Sequence, residues 1–385
     1  MKKFDIVVVG AGIAGTGLAY NLKKIGYKGK ILIIDKIGPG ADKTYAIRTA
    51  FEKIINEYGL PYHHKYKGLI FANYDEEYVL DCKPYSINYK DVCLHLLDNS
   101  DAKLKIEQAK DVNSDILTTD KNKYSFKYLV DCSGASFFLR KKFNMACSNR
   151  FWLAKSMVLE NKENIDTDYM YWLTDGNGYF EEFLPFKDYI VIGDYQYTDR
   201  VDFDLINITK NPLRNKKLKK IEPIEKSRGV MPNSPHFPMY YKKRYLFLGD
   251  SFGNAPTSSG YGTQPILETS KILSFCIHND CLNRYEKMWK DKYLESYLKY
   301  LALKYELHQK SPILKRIKNI PEKNSVMKLF KEYPEMTIKY LKDPSYVIDL
   351  PEDFEPKPTL VQNLFRAYYY LFLKSKSYLE SLRKF

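Results

Sequence analysis

A chain that opens on Phe4-Asp5-Ile6-Val7-Val8-Val9, turns through Gly10-Ala11-Gly12-Ile13-Ala14-Gly15 and continues as a helix to a second apolar run, Ile31 to Ile34, can fold in few ways. The β-branched run reads as a buried parallel strand. Gly10 permits a tight turn, Gly12 lets the backbone approach a pyrophosphate, and Gly15 lets helix and strand pack closely. Ile13 and Ala14 fall at the helix start, where free N–H groups and a partial positive charge face phosphates. Asp35 closes the second strand twenty residues after Gly15. A carboxylate there accepts the hydroxyls of an adenosine ribose and repels a 2′-phosphate, which selects against NADP. Lys36 follows at the rim as a further contact. Strand, glycine turn, helix, strand and acid are the order a dinucleotide site requires, so the first domain is expected to be α/β with a Rossmann-like start.

The 385 residues leave room for two or three domains. A net charge of +14 calls for anionic company, whether nucleic acid, lipid or a small molecule. The 34 tyrosines and 21 phenylalanines are more aromatic surface than a plain core needs and suit the lining of a large apolar cavity. Met1-Lys2-Lys3 leads straight into the first strand, which predicts a cytoplasmic start, and no apolar run approaches the ~20 residues a membrane span needs. The six cysteines form no CxxC or His/Cys cluster, so no metal is expected. Free thiols are the main reading, with Cys276 and Cys281 the pair whose spacing suits redox chemistry.

Residues 36–60 read as a Gly/Pro loop and a short amphipathic helix, with Arg48 where the chain can return to the phosphates. Residues 68–81 form a hairpin turning at Asp75-Glu76-Glu77, and Asn88 to Asp98 resumes helical spacing. Tyr128 to Val130 is a strand ending in Asp131-Cys132-Ser133-Gly134, an acid and a glycine at the strand end that an open sheet presents to a ligand. From Phe151 to about Thr198 the texture becomes alternating strands, which with 68–81 predict an inserted, mainly antiparallel sheet. Lys210 to Arg228 holds eight basic and two acidic residues and reads as a solvated loop. Tyr245 to Leu248 returns to the first domain and runs into Gly249-Asp250-Ser251-Phe252-Gly253-Asn254-Ala255-Pro256, then Gly260-Tyr261-Gly262 before a helix near Gln264. Residues 282–310 form a long helix with a stripe at Tyr285, Trp289 and Tyr293. The tail, Leu360 to Phe385, combines an aromatic patch with five basic residues and one acidic. It suits either docking on the protein body or an interfacial helix on anionic lipid.

The glycine turn with Asp35, the DCSG at 131–134 and the LGDSFGNAPTSSGYG at 248–262 together resemble FAD-dependent oxidoreductases of the para-hydroxybenzoate hydroxylase type. Within that group the chain most resembles the geranylgeranyl reductase family. The resemblance implies FAD as cofactor and an FAD-binding domain from 1–60, 86–150 and 226–281. It implies a substrate sheet domain from 61–85 and 151–225, and a helical region from 282–385. It also implies that Gly10, Gly12 and Gly15 cradle the pyrophosphate, Asp35 the ribose, and Asp131 and Gly134 a second cofactor contact. Asp250 would hold the ribityl chain or phosphates, and Pro256, Gly260 and Gly262 the flavin ring. The family's Tyr-x-Trp-x-Phe-Pro signature is replaced here by Phe180-Glu181-Glu182-Phe183-Leu184-Pro185, with Glu182 where tryptophan is usual.

The expected activity is saturation of C=C bonds in geranylgeranyl or polyprenyl chains of isoprenoid membrane lipids, with electrons from NAD(P)H or ferredoxin. A monooxygenase or a lycopene-cyclase-like enzyme is the alternative. An isolated alkene is a poor hydride acceptor, so an acid must protonate one carbon. Glu182 or Glu181 is the candidate, with Tyr261 behind them. Strand alternation points only one of the two glutamates at the cavity. Tyr179, Phe180, Phe183 and Pro185 are the expected substrate contacts. The basic segments lack interleaved aromatics of the stacking kind, so nucleic acid is not an expected partner. A peripheral contact with the membrane's inner face is compatible with the tail.

Overall fold

Ile6, Val7 and Val8 are fully buried because their strand has a neighbour on each side. Strand β1 (Lys2–Val9) lies at the centre of an eight-stranded sheet, between β2 (Ile31–Asp35) and β11 (Lys123–Asp131), parallel to both. The order runs β17 (Tyr240–Tyr241), β18 (Tyr245–Phe247), β11, β1, β2 and β8 (Lys103–Ile106), with β10 (Ile116–Thr119) antiparallel to β11 and β9 (Ala109–Asn113) antiparallel to β10. From β18 to β8 all neighbours are parallel. The register aligns Val9 with Ile34 and with Asp131, and Asp131 with Phe247. Four strands therefore end in one row, at the edge where open α/β sheets bind ligands. The computed structural model describes residues 1–40, 46–72, 76–147, 151–162, 165–174, 179–198, 222–232, 237–254, 261–308 and 331–346. Of residues 174, 179–180, 197–198 and 297–308 it describes the backbone alone.

Helix α1 (Ile13–Lys24) packs on this sheet together with α3 (Tyr89–Asp98) and α5 (Thr263–His278). Asn88 caps α3, its side chain accepting from Lys90 N at 2.9 Å and Asp91 N at 3.3 Å, the bond an N-cap asparagine makes. Helix α6 (Tyr285–His308) lays its stripe inward: Tyr285, Trp289 and Tyr293 are fully buried. Each aromatic has a polar anchor, Tyr285 to Phe247 O, Trp289 to Asn254 Oδ1 at 3.0 Å, and Tyr293 to Glu268.

A seven-stranded sheet is inserted between these parts. Its order is β16 (Glu225–Pro232), β12 (Phe151–Glu160), β15 (Tyr189–Thr198), β14 (Tyr179–Pro185), β13 (Tyr169–Thr174), β5 (Gly68–Ala72) and β6 (Glu77–Leu80). All neighbours are antiparallel except β13 and β5, where the two separate segments of chain meet. Two expectations need correction here. Residues 225–228 are not loop but the start of β16, paired with β12, so a domain boundary after 225 would cut through a strand. The loop before α2 (Glu52–Tyr58) also contains β3 (Ile47–Ala50), which joins β7 (Tyr85–Asn88) and β4 (His64–Lys65) in a small third sheet.

Candidate active site

Directly paired residues share a face of a sheet, and this sorts the centre of the seven-stranded one. Ser156, Gly193, Glu182, Trp172 and Phe71 lie on one face; Lys155, Asp194, Glu181, Leu173 and Ala72 lie on the other. The first face carries Val158, Leu184, Val191 and Trp172 into a core shared with Ile47 and Phe51 of the β3 region, with Tyr261 packed against it. Glu182 is thus the glutamate that looks toward the dinucleotide-type domain. The second face is corrected accordingly: Glu181 is opposite Asp194, both fully buried, and Phe183 packs with Leu159, Ile190 and Ile192, away from β3. Pro185 ends its strand and receives the Tyr66 hydroxyl on its carbonyl at 3.3 Å. The side chains of Tyr179 and Phe180 lie outside the described residues.

Glu182 is only 7% exposed and keeps three hydrogen-bond partners. Oε1 accepts from the Thr49 hydroxyl at 2.6 Å and from the Trp172 indole N–H at 3.3 Å; Oε2 accepts from the Tyr195 hydroxyl at 3.1 Å. Tyr195 reaches it because β15 carries no side chain at Gly193. A Cβ at Gly193 would lie 3.0 Å from the Tyr195 ring, which fills that gap. Burial, with the Glu182 charge beside it, holds the Tyr195 hydroxyl well above the usual phenol range despite the opposing pull of Arg48. Sequence reasoning did not find Thr49, Trp172 or Tyr195, because each depends on which strands lie side by side.

The glycine turn has the geometry its sequence demanded. Gly10 has φ +114°, and a Cβ there would sit 2.2 Å from the Cys132 carbonyl oxygen. A Cβ on Gly15 would sit 2.0 Å from the Gly10 oxygen, so α1 could not lie so close to β1 with any other residue. Gly12 leads into α1 without a side-chain cap. Its missing Cβ makes room for the Tyr89 hydroxyl, which accepts from Ile13 N at 3.3 Å. Ala14 touches the opposite end of the site: a Cβ on Gly249 would lie 2.6 Å from its own. Asp35 is half-buried, with Oδ2 accepting from Ala11 N at 2.8 Å and Oδ1 from Ile37 N and Gly38 N at 2.8 and 2.9 Å. A carboxylate offers about four acceptor positions, so about one is left for a further donor. Lys36 is exposed beside it.

Asp131 is fully buried and faces its own turn, accepting from Ser133 N at 2.9 Å and Leu139 N at 2.8 Å. Burial raises its carboxyl even against these donors and Arg140. The turn it holds presents Gly134, at φ +63°, to open space. Asp250 sits past the end of β18 with no hydrogen-bond donor among the described residues. Burial pushes its carboxyl up to about 6, with Arg48 pulling the other way. Arg48 is the link between the two halves of the site. Its charge acts on Asp250, on Tyr89, whose ring centre is 5.9 Å from the guanidinium carbon, and on Tyr195. Gly262 precedes α5 as an N-cap without a side-chain bond. The Tyr261 ring meets Phe51 edge-on at 5.5 Å. Pro256 and Gly260 lie outside the described residues.

A parallel sheet with a glycine turn at its first strand, an inserted antiparallel sheet facing its carboxyl edge and a returning acidic strand end is the fold of FAD-dependent oxidoreductases and monooxygenases. A geranylgeranyl bacteriochlorophyll reductase-like protein from Thermoplasma acidophilum superposes with a TM-score of 0.67 at 16% identity, over 89% of this chain and 99% of its own. A triple mutant of a flavin-dependent brominase gives 0.67 at 14% identity, over 96% of this chain and 100% of its own. A probable FAD-dependent monooxygenase from Pseudomonas aeruginosa gives 0.56 at 11% identity, over 80% and 96%. No protein family's sequence profile matches the chain, and no curated protein matches it. Among the described residues no helix is long and apolar enough to cross a membrane, and no His, Cys, Asp or Glu cluster suits a metal.

Proposed function

We propose that the chain is an FAD-dependent reductase that saturates C=C bonds in geranylgeranyl or polyprenyl chains of isoprenoid membrane lipids. The residues at the carboxyl edge fit the cofactor: a glycine turn that tolerates no Cβ, open space beside Gly134, and an acid at 250 with no donor among the described residues, which can accept from hydroxyls. Gly10, Gly12 and Gly15 with the start of α1 would hold the pyrophosphate, Asp35 the adenosine ribose, and Asp250 with Arg48 the ribityl end. When bound, FAD supplies a hydride from its N5 position.

The single observation that carries the reaction class is the setting of Glu182. It is a buried carboxyl on a sheet face that also carries Phe71, Trp172 and Leu184, with hydroxyl partners on both oxygens. The indole N–H of Trp172 can only donate, which fixes Oε1 as the acceptor side. The Tyr195 hydroxyl can donate or accept, so a proton can reside on Oε2 or pass between the two groups. Such a pair can protonate one alkene carbon as the other accepts hydride. Phe71, Trp172 and Leu184 on the same face exclude water from that transfer.

Replacement of Glu182 by Gln tests this. Turnover should fall by about 100-fold or more, the scale of a lost general acid, while bound flavin stays at wild-type stoichiometry. Unchanged turnover removes Glu182 from the mechanism. The lipid class is tested by mass spectrometry of isoprenoid ethers from a host with and without the protein. The brominase and monooxygenase neighbours favour one second reading, oxygen chemistry on an apolar substrate. Oxygen consumption coupled to NAD(P)H oxidation would select it, and product with an unchanged hydrogen count would select a cyclase. Electrons come from NAD(P)H docking transiently or from ferredoxin, and the +14 charge suits an acidic carrier or anionic headgroups. The tail proposed to meet the membrane, 360–385, lies outside the described residues.

A further inference from the structure

Helix α5 ends in a cap that brings two cysteines side by side. Asp280 takes the left-handed conformation at φ +51°, Cys281 N donates to Cys276 O at 2.9 Å, and Asp280 N donates to Ile277 O at 3.4 Å. These are the paired bonds of a Schellman motif, in which the side chains three residues before the cap and two after it come into contact. That contact is ordinarily apolar. Here the two positions are held by Cys276 and Cys281. The Cys276 sulfur also lies 3.8 Å from the Met288 sulfur, and the Tyr128 hydroxyl holds Asp280 Oδ1 at 3.3 Å, pinning the turn from the sheet side.

We infer that Cys276 and Cys281 form an oxidation site, closing to a disulfide across the end of α5 when the protein meets hydrogen peroxide. The two cysteines differ in a way that orders the chemistry. Cys281 is partly exposed, whereas Cys276 is fully buried, and burial together with Cys281 pushes its thiol up to about 12. The thiolate is the nucleophile, so Cys281 reacts first. Its sulfur attacks peroxide, an S–O bond forms, the O–O bond breaks, and hydroxide leaves, giving a sulfenic acid. The Cys276 sulfur then attacks that sulfur. The S–S bond forms, the S–O bond breaks, and water departs with the Cys276 proton. Two thiols are oxidised by two electrons as one peroxide becomes two waters, and a dithiol reverses the change. The remaining cysteines offer no comparable pair: Cys82, Cys93 and Cys132 are buried, and Cys147 is partly exposed. This site stands independently of the proposed reductase activity. It locks the corner from which α6 departs, the helix whose buried stripe holds α5 in place.

Both cysteines fall in one tryptic peptide, Ile272 to Arg284, which makes the test direct. The full-length protein is treated with hydrogen peroxide, alkylated with iodoacetamide, digested and weighed. The peptide should lose the mass of two hydrogens and take up no alkyl group, and prior dithiothreitol should restore both alkylations. In Cys276→Ser, Cys281 should accumulate as a dimedone-trappable sulfenic acid; in Cys281→Ser, Cys276 should stay a free thiol. Circular dichroism checks that both variants fold. A wild-type peptide that remains fully alkylable while the Cys147 peptide is oxidised overturns the inference. So does Cys281 advancing to sulfinic acid without cross-linking.

Discussion

Trp172 and Glu182 stand directly opposite one another on antiparallel strands, and the indole N–H of the first donates to the carboxylate of the second at 3.3 Å. The carboxyl on β14 and the indole on β13 are thereby joined on one buried face of the sheet. Trp172→Phe keeps most of the ring area and removes the donor. It should cost about 0.5–1.5 kcal/mol in stability, the net scale of one lost hydrogen bond. Thermal melting checks this: Trp172→Phe should melt lower than the wild type with its circular dichroism unchanged. An unchanged melting temperature would show that the indole bond to Glu182 contributes nothing to the fold.

Gly249→Ala should damage fold and cofactor retention together. Its φ of +70° disfavours any Cβ, and that Cβ would sit 2.6 Å from the Ala14 Cβ at the start of α1. Backbone strain and overpacking sum to roughly 2–5 kcal/mol. Gly229→Ala is the control, since its nearest neighbour would be Ala154 Cβ at 3.8 Å, an ordinary contact. Thermal melting and flavin absorbance per protein should separate the two variants clearly.

Acid should weaken the junction of α2, α5 and α6 through Glu268. Burial alone would raise its carboxyl, but hydrogen bonds from Lys292, Lys53 and Tyr293 outweigh that and bring it down to about 2. Lys53 approaches within 2.7 Å and also meets Asp343 at 3.3 Å, tying in the helix Pro334–Lys342. A depressed acid contributes stability above its unfolded value near 4.5 and loses it as pH falls toward 2. The stake is on the order of 3 kcal/mol. Melting temperature should drop across that window in the wild type. Glu268→Gln should melt lower at pH 7 and show a shallower acid dependence.

Asp250 has the opposite sign. Its carboxyl is raised to about 6 chiefly by burial, so the unfolded chain ionises first as pH rises. Stability of the cofactor-free protein is therefore full below about 4 and falls between there and 6. Asp250→Asn should raise the melting temperature of that form at pH 8, converge with the wild type at pH 4, and bind added FAD more weakly by titration.

The opening βαβ unit was legible because each of its parts is local: a β-branched run, three glycines at fixed spacing and an acid at a strand end. Helix α3 showed its spacing from Asn88 onward, and the Tyr285, Trp289 and Tyr293 stripe showed its burial by period alone. What stayed hidden was lateral. Strand β3 is four residues long, and β8 and β9, with charges at Lys103, Lys105, Lys110 and Asp111, bury too little to announce themselves. The choice between Glu181 and Glu182 needed the register of β14 on β13 and β15. Tyr195 needed the gap at Gly193, an absence that acquires meaning only when the neighbouring ring is seen to fill it.

The contact between Ala14 and Gly249 also has a consequence for how the protein is made. One side of that seam leaves the ribosome almost at once, while the other waits until most of the chain has been translated. The half-built crevice must stay soluble in the meantime, so a flavin can be captured only as synthesis nears its last third. Yellow colour in truncated products would accordingly report that the returning strand has arrived.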